Sequence, residues 1–268
     1  MTPLTLAYSP CPNDTFMFGA IANGLIDTHG LTFDTCLHDV QTLNERLLES
    51  AFDISKVSFH AYLRAQTDYQ LLDAGAALGF GCGPLVVART ADALHHSARA
   101  RVAVPGGLTT ANLLLHLWNP AITERVCVPY DQVMQEVIEG RADAGVIIHE
   151  SRFAYAEHGL VAIADLGAWW EAETGLPIPL GCIVARRGDD GPDAPALETL
   201  IRESIDYAQT HPADIVPYVA AHAREIDANI IDQHVAMFVN DFSLSLGDQG
   251  RAAIERLATM AHGKVPGL

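Results

Sequence analysis

The chain has 268 residues, is 49% hydrophobic and 18% charged, and carries a formal net charge of −17. With 16 Lys and Arg against 33 Asp and Glu, it lacks the basic face that phosphate contacts need, which excludes a nucleic-acid binder and disfavours an anionic membrane surface. The length allows one large domain or two lobes with separate cores. An anionic small ligand would have to be held by local donors, such as helix amino ends, against the global field. The cysteines Cys11, Cys36, Cys82, Cys127 and Cys182 are widely spread and contain no C-x-x-C pair, the pattern of free thiols in a reducing compartment. The N-terminus has no basic n-region, and no apolar run approaches the roughly 18 residues of a membrane span, so a soluble cytoplasmic protein is expected.

In chain order, residues 4–8 read as a strand, Ser9 to Asn13 as a tight connection, and Asp14 or Thr15 as the start of a helix ending near Asn23-Gly24. Asp39 or Thr42 opens a second helix with Leu43, Leu47 and Leu48 on one face. Residues 101–104 form a further strand, Pro105-Gly106-Gly107-Leu108 a loop, and Thr109-Thr110 the cap of a helix carrying Leu113, Leu114 and Leu117. Each unit is a strand, a proline- or glycine-rich turn and a helix whose amino end points back over the sheet edge. Residues 188–195 read as a short linker, after which strands are absent and apolar spacings such as Ile201, Ile205, Ala208 and Val235, Phe238, Val239 predict helices.

A degenerate repeat appears when residues 48–59 (LESAFDISKVSF) are laid beside residues 138–149 (IEGRADAGVIIH). Each copy reads as a last helical turn, a residue that stops it, an Asp and a short strand. The period is far too long for a solenoid and fits two similar α/β lobes. Residues 83–89 (GPLVVAR) resemble residues 180–186 (LGCIVAR) and bracket the stretch between them. The fold class expected is therefore α/β, with two lobes joined by two crossing strands. Lobe one is discontinuous, residues 1–88 plus 187–268, and lobe two is continuous, residues 89–186. Such lobes hinge, and a ligand lies between them.

The chemistry is expected at strand ends. His149 follows the apolar run Ala144-Gly145-Val146-Ile147-Ile148, which puts an imidazole at a sheet's carboxyl edge, where ligands of open α/β sheets sit. It is either a proton acceptor or a hydrogen-bonding loop cap. Ser9-Pro10-Cys11-Pro12-Asn13-Asp14-Thr15 is a rigid loop running into a helix start, and its amides, with Asp14 at the first turn, form a candidate ligand segment or an ordinary cap. Thr109 and Thr110 offer hydroxyl as well as backbone donors, although one threonine suffices for capping. Ser58 ends the strand equivalent to that of His149. Lys56 is either a cleft cation or an exposed edge lysine. Arg152 reads more readily as a surface salt bridge than as a second cation, and Cys11, with no basic neighbour in sequence, as structural.

Other motifs fail. His149-Glu150-Ser151-Arg152 is not a zinc H-E-x-x-H, and His95-His96 has no partners at ligand spacing. Gly79-Phe80-Gly81-Cys82-Gly83 lacks dinucleotide spacing and precedes a strand. Trp169-Trp170 reads as core packing, with one ring able to approach the cleft.

The motifs Ser9-Pro10-Cys11-Pro12-Asn13-Asp14-Thr15-Phe16, Asp39-Val40 with Thr42-Leu43-Asn44, Lys56-Val57-Ser58, Thr109-Thr110 and Ile147-Ile148-His149-Glu150-Ser151-Arg152-Phe153 resemble the 1,4-dihydroxy-6-naphthoate synthase family of the futalosine route to menaquinone. The resemblance continues through Asp165-Leu166-Gly167-Ala168-Trp169-Trp170 to Asn240 and Phe242-Ser243-Leu244. It implies a two-lobed fold like that of type 2 periplasmic binding proteins and a cytoplasmic lyase. That lyase would split cyclic dehypoxanthine futalosine into 1,4-dihydroxy-6-naphthoate and dihydroxyacetone, with no metal or organic cofactor. Carried over by motif, His149 is the base, Lys56, Val57, Ser58, Thr109 and Thr110 bind substrate, and Asn44 is a cleft contact. The implied partner is a small anionic substrate, with the C-terminal helices available for a homodimer. The competing readings are a non-catalytic solute-binding protein and a chorismate dehydratase of the same fold and route.

Overall fold

Short strands, many alternating with helices, assemble here into two sheets wired in the same way. The computed structural model describes residues 2–95, 99–188, 191–224 and 227–265. The chain opens with β1 (Leu4–Tyr8), α1 (Pro12–Ala22), β2 (Phe33–Leu37), α2 (Val40–Leu48), β3 (Ile54–Ser58), α3 (Phe59–Arg64), β4 (Tyr69–Leu71) and β5 (Ala77–Gly79). The second set is β6 (Leu85–Ala88), β7 (Arg101–Val104), α4 (Thr110–Trp118), β8 (Glu124–Cys127), α5 (Val133–Ile138), β9 (Ala144–Ile147), α6 (Ser151–Ala154), β10 (Val161–Asp165) and α7 (Leu166–Thr174). The chain returns through β11 (Ile178–Arg186) to α8 (Ala194–Thr210), α9 (Pro212–His222), α10 (Ala228–Phe238), α11 (Asp241–Leu244) and α12 (Gly247–Ala261).

The first sheet runs β2-β1-β3-β11-β4, with β5 also on β11, and the second runs β10-β6-β9-β7-β8. β1 lies parallel between β2 and β3, as β7 does between β8 and β9. β11 then adds antiparallel to β3, as β6 adds to β9. The two segments aligned in the sequence, ending in β3 and β9, thus occupy matching positions in the two lobes.

This pairing corrects the expected lobe borders. Residues 85–88 belong to the second sheet and residues 178–186 to the first, the reverse of the borders at 88 and 186. Each crossing is made by the few residues before the strand, and the strand itself completes the far sheet, where its backbone groups are satisfied. Helix details shift as well. α1 starts at Pro12 rather than Asp14, because proline at the first helical position loses no bond. Leu48 is exposed while Leu43 and Leu47 are buried, since only the latter pair shares a face at four-residue spacing. His96 and part of the linker 188–195 lie outside the described residues.

One apolar cluster runs through both lobes, joining Leu43, Val57 and Phe59 to Val86, Val104, Leu113 and Val146. A second, with Tyr8, Phe18, Ile54, Ile201 and Ile205, seats α1 and α8 on the first sheet. Trp170 is fully buried and donates its indole N–H to the Pro177 carbonyl at 3.0 Å, while Trp169 is half-buried against the same cluster. Where the chain first crosses, a Cβ on Gly83 would lie 2.2 Å from the Gly167 Cα, so only glycine lets that crossing pass the start of α7. Gly83→Ala should destabilise the fold by about 1–3 kcal/mol through overpacking, read as a lowered denaturant midpoint; an unchanged midpoint contradicts this close approach.

Candidate active site

The carboxyl ends of β3 and β9 open onto one cavity between the lobes, with about 750 Å³ of empty space including its mouth. Lys56, Val57 and Ser58 reach it from β3, Asp14 from α1, Thr109 and Thr110 from the start of α4, and His149 and Arg152 from the segment after β9. Seven of the eight residues expected at the site meet here; Asn44 stands one layer behind.

His149 sits just past the end of β9 with φ of 55°, a left-handed backbone costly for a residue with a Cβ. The turn lifts the ring off the strand. Its face lies 5.8 Å from the His234 ring at an interplanar angle of 24°, and Tyr130 meets it edge-on at 4.9 Å. Its Nε2 is 3.7 Å from Cys11 Sγ. Burial pushes the imidazole below its ordinary value; the charges of Glu150 and Asp14 pull it back, and Lys56 adds to the depression. The ring is therefore neutral near pH 7 and able to accept a proton. Cys11 acquires a basic neighbour only in three dimensions, yet burial and then the Asp14 charge drive its thiol far above the ordinary range. It stays a thiol, which rules against a Cys–His nucleophile pair.

The floor of the cavity is a buried polar network. Lys56 is not an edge lysine: it is 6% exposed, pairs with Asp14 Oδ1 at 2.9 Å and donates to the Gly75 carbonyl at 3.0 Å. Asp14 Oδ2 accepts from the Ser9 hydroxyl at 2.6 Å and the Ser9 amide at 3.2 Å. Asp14 Oδ1 also accepts from Asn13 Nδ2 at 2.8 Å. The amino end of α1 thus already carries its own carboxylate, answered by a lysine.

The opposite wall is built from donors. Asn44 accepts the Ser58 amide at 2.8 Å and donates to the Ser58 hydroxyl at 3.0 Å and the Leu108 carbonyl at 3.3 Å. Because the Ser58 oxygen is used as acceptor, its proton is left for the cavity. The threonine hydroxyls are committed instead: Thr109 donates to the Gly106 carbonyl at 2.8 Å and Thr110 to the Leu180 carbonyl at 2.7 Å. What they leave for a ligand is backbone, the first amides of α4, which have no carbonyl within the helix to bond. Arg152 lines the cavity rather than an open surface, donating to the Gly83 carbonyl at 2.8 Å, with Asp165 at 3.8 Å. Gln41 and His60 bind the 106–110 loop from the first lobe, Gln41 accepting the Leu108 amide at 3.1 Å and His60 Nδ1 lying 3.2 Å from the Thr109 carbonyl.

Sequence reasoning missed His234 and Tyr130. His234 reads as part of an apolar helix, and the available signal was its place one turn before Phe238, on a face that is buried.

A family model described as menaquinone biosynthesis matches residues 4–263. The chain is 44% identical over 264 residues to a 1,4-dihydroxy-6-naphtoate synthase of Thermus thermophilus, covering 98% of this chain and 96% of that one. The X-ray structure of a protein from Archaeoglobus fulgidus superposes with a TM-score of 0.91 at 35% identity, covering 98% of this chain and 97% of that one. The periplasmic aliphatic sulphonate binding protein of Escherichia coli shares the fold, with a TM-score of 0.63 at 11% identity and coverage of 97% and 87%.

Removing one partner of the buried pair should be costly. Lys56→Met strands the Asp14 carboxylate and should lose about 3–5 kcal/mol, with Asp14→Asn in the same chain returning part of the loss in urea melts; equal stability of Lys56→Met and the parent contradicts the pairing. Three histidines, His60 and His234 buried and His149 half-buried at the cavity, also set a pH dependence. Burial holds His60 down to about 4 and depresses His149 and His234, while in the unfolded chain all three titrate near about 6.5. The unfolded state binds more protons below that value, so stability is full above it and falls as the pH drops toward about 4. A urea midpoint that is flat from about pH 7.5 to about pH 5 contradicts this linkage.

Proposed function

The chain belongs to the menaquinone-biosynthesis family, and from that premise we propose that it is a carbon–carbon lyase converting cyclic dehypoxanthine futalosine to 1,4-dihydroxy-6-naphthoate and dihydroxyacetone. The observation that carries the reading is a neutral imidazole, His149, in one cavity with the free Ser58 hydroxyl and the leading amides of α4. In this mechanism His149 removes a proton from the substrate, and electrons flow toward a carbonyl held by those donors. The carbon–carbon bond to the three-carbon fragment then breaks. Aromatisation of the remaining bicycle drives the step.

A positioned base contributes a factor of about 10² to 10⁴, so orientation between the lobes must supply the rest. The mostly apolar walls, with Leu43, Val57 and Phe238 among them, suit a flat bicycle. Lys56, Val57, Ser58, Thr109 and Thr110 bind substrate in this reading, with Asp14 holding Lys56 in place and Asn44 acting through Ser58. Free thiols at all five cysteines suit a reducing compartment, and we place the reaction in the cytoplasm.

Purified protein given cyclic dehypoxanthine futalosine should yield a naphthoate chromophore, and given chorismate should leave it unchanged; the opposite pattern assigns the protein to the dehydratase reaction, and binding without turnover of either to a solute carrier. His149→Asn should keep substrate affinity within about three-fold and lose at least about 10²-fold in turnover. Substantial residual turnover rejects His149 as the base. The acid limb of kcat/KM should lie below the ordinary histidine value near 6.5, because burial depresses His149.

A further inference from the structure

The least explained group near the cavity is His234. It is fully buried on α10, and among the described residues its ring has one hydrogen bond, Nε2 to Asn13 Oδ1 at 2.9 Å. Its Nδ1 is buried with no partner. The tautomer follows from the network. The Asp14 carboxylate can only accept, so Asn13 presents its NH₂ to Asp14 and its oxygen to His234; His234 Nε2 must then carry the proton, and Nδ1 is left as a bare lone pair. A buried imidazole with an unmet acceptor is costly, and a phenyl ring would pack there without that cost.

The position has two neighbours of consequence. The His234 ring lies face to face with His149, 5.8 Å away, and packs on its other contacts against Phe238 at 4.7 Å. The His149 ring has little else to hold it: among the described residues its only side-chain hydrogen-bond contact is the Cys11 sulfur at 3.7 Å, with the edge of Tyr130 beside it. Among the described residues no carboxylate hydrogen-bonds the ring as in a Ser-His-Asp triad. Along the other direction, Asn13 passes the His234 bond to Asp14 and so to Lys56.

We propose that His234 is a positioning residue with two separable duties: its flat face walls His149 off from water and fixes its plane, and its Nε2–H fixes Asn13, and through it the Asp14–Lys56 pair at the substrate end. This rests on the reading of His149 as the base. The charged and titratable groups around His149 are Cys11 and Asp14 from α1, Lys56 from β3, Tyr130 beneath the Arg224 guanidinium, and its own neighbour Glu150.

Two complementary substitutions separate the duties. His234→Phe keeps the wall and deletes the donor; His234→Gln keeps a donor and deletes the wall. His234→Gln lets water reach His149, relieving the burial that depresses it, so the acid limb of kcat/KM and the nuclear magnetic resonance titration of the His149 ring should both move up by at least about half a pH unit. Its kcat should fall at least about ten-fold with KM little changed. His234→Phe should leave the titration and kcat near the parent's and raise KM about five-fold or more. The proposal is overturned if both variants shift the same parameter, or if neither moves the His149 titration. The resonance titration needs no substrate, so it tests the wall independently. Turnover by His149→Asn would instead sink the base assignment while leaving the titration result standing.

Discussion

The buried pair of Lys56 and Asp14 is the contact on which the site's other parts lean. It ties β3 to the start of α1, and each partner has further bonds, Lys56 to the Gly75 carbonyl and Asp14 from Ser9 and Asn13. A pair this deep gains little net stability, because desolvation of two ions offsets most of their attraction. What it provides is a rigid, overall neutral floor that places Asn13, and hence α10, at a set distance from β3. A cavity in a chain of net charge −17 can then receive an anion without meeting an unanswered carboxylate at that point.

Closure of the lobes depends on a second set of contacts, all directed at the loop between β7 and α4. Gln41, Asn44 and His60 reach it from the first lobe, and Thr110 returns a bond to Leu180 on β11. The bonds from Gln41, Asn44 and His60 go to loop backbone, whereas the Thr110 hydroxyl ties the helix start to β11. The apolar cluster that continues from one lobe to the other adds area to the same closed arrangement. Solute-binding proteins such as the periplasmic sulphonate binder share this fold.

Much of this was legible in residue order. The repeat ending at Phe59 and His149 found the two matching strands because helix stop, Asp and apolar run recur at the same spacing. His149 was expected at the cavity because ligand crevices of such sheets lie at strand ends, and it lines the cavity. The errors have physical causes. Lobe borders were set one strand off on each side, because an antiparallel strand that completes the far sheet looks the same in sequence as one that merely connects. The threonine hydroxyls looked available because their carbonyl partners, Gly106 and Leu180, are backbone atoms with no signature. His234 was invisible because its significance lies in a stack and a tautomer, both set by residues more than two hundred positions earlier or in the other lobe.

The left-handed backbone at His149 carries a cost of about 1–3 kcal/mol that glycine or asparagine would largely remove. In the proposed reaction, folding and turnover thus pull against each other at this position. A randomised library sorted for heat tolerance alone should discard the imidazole early and return sturdier, inert proteins, so any engineering of this scaffold has to screen for product at every round.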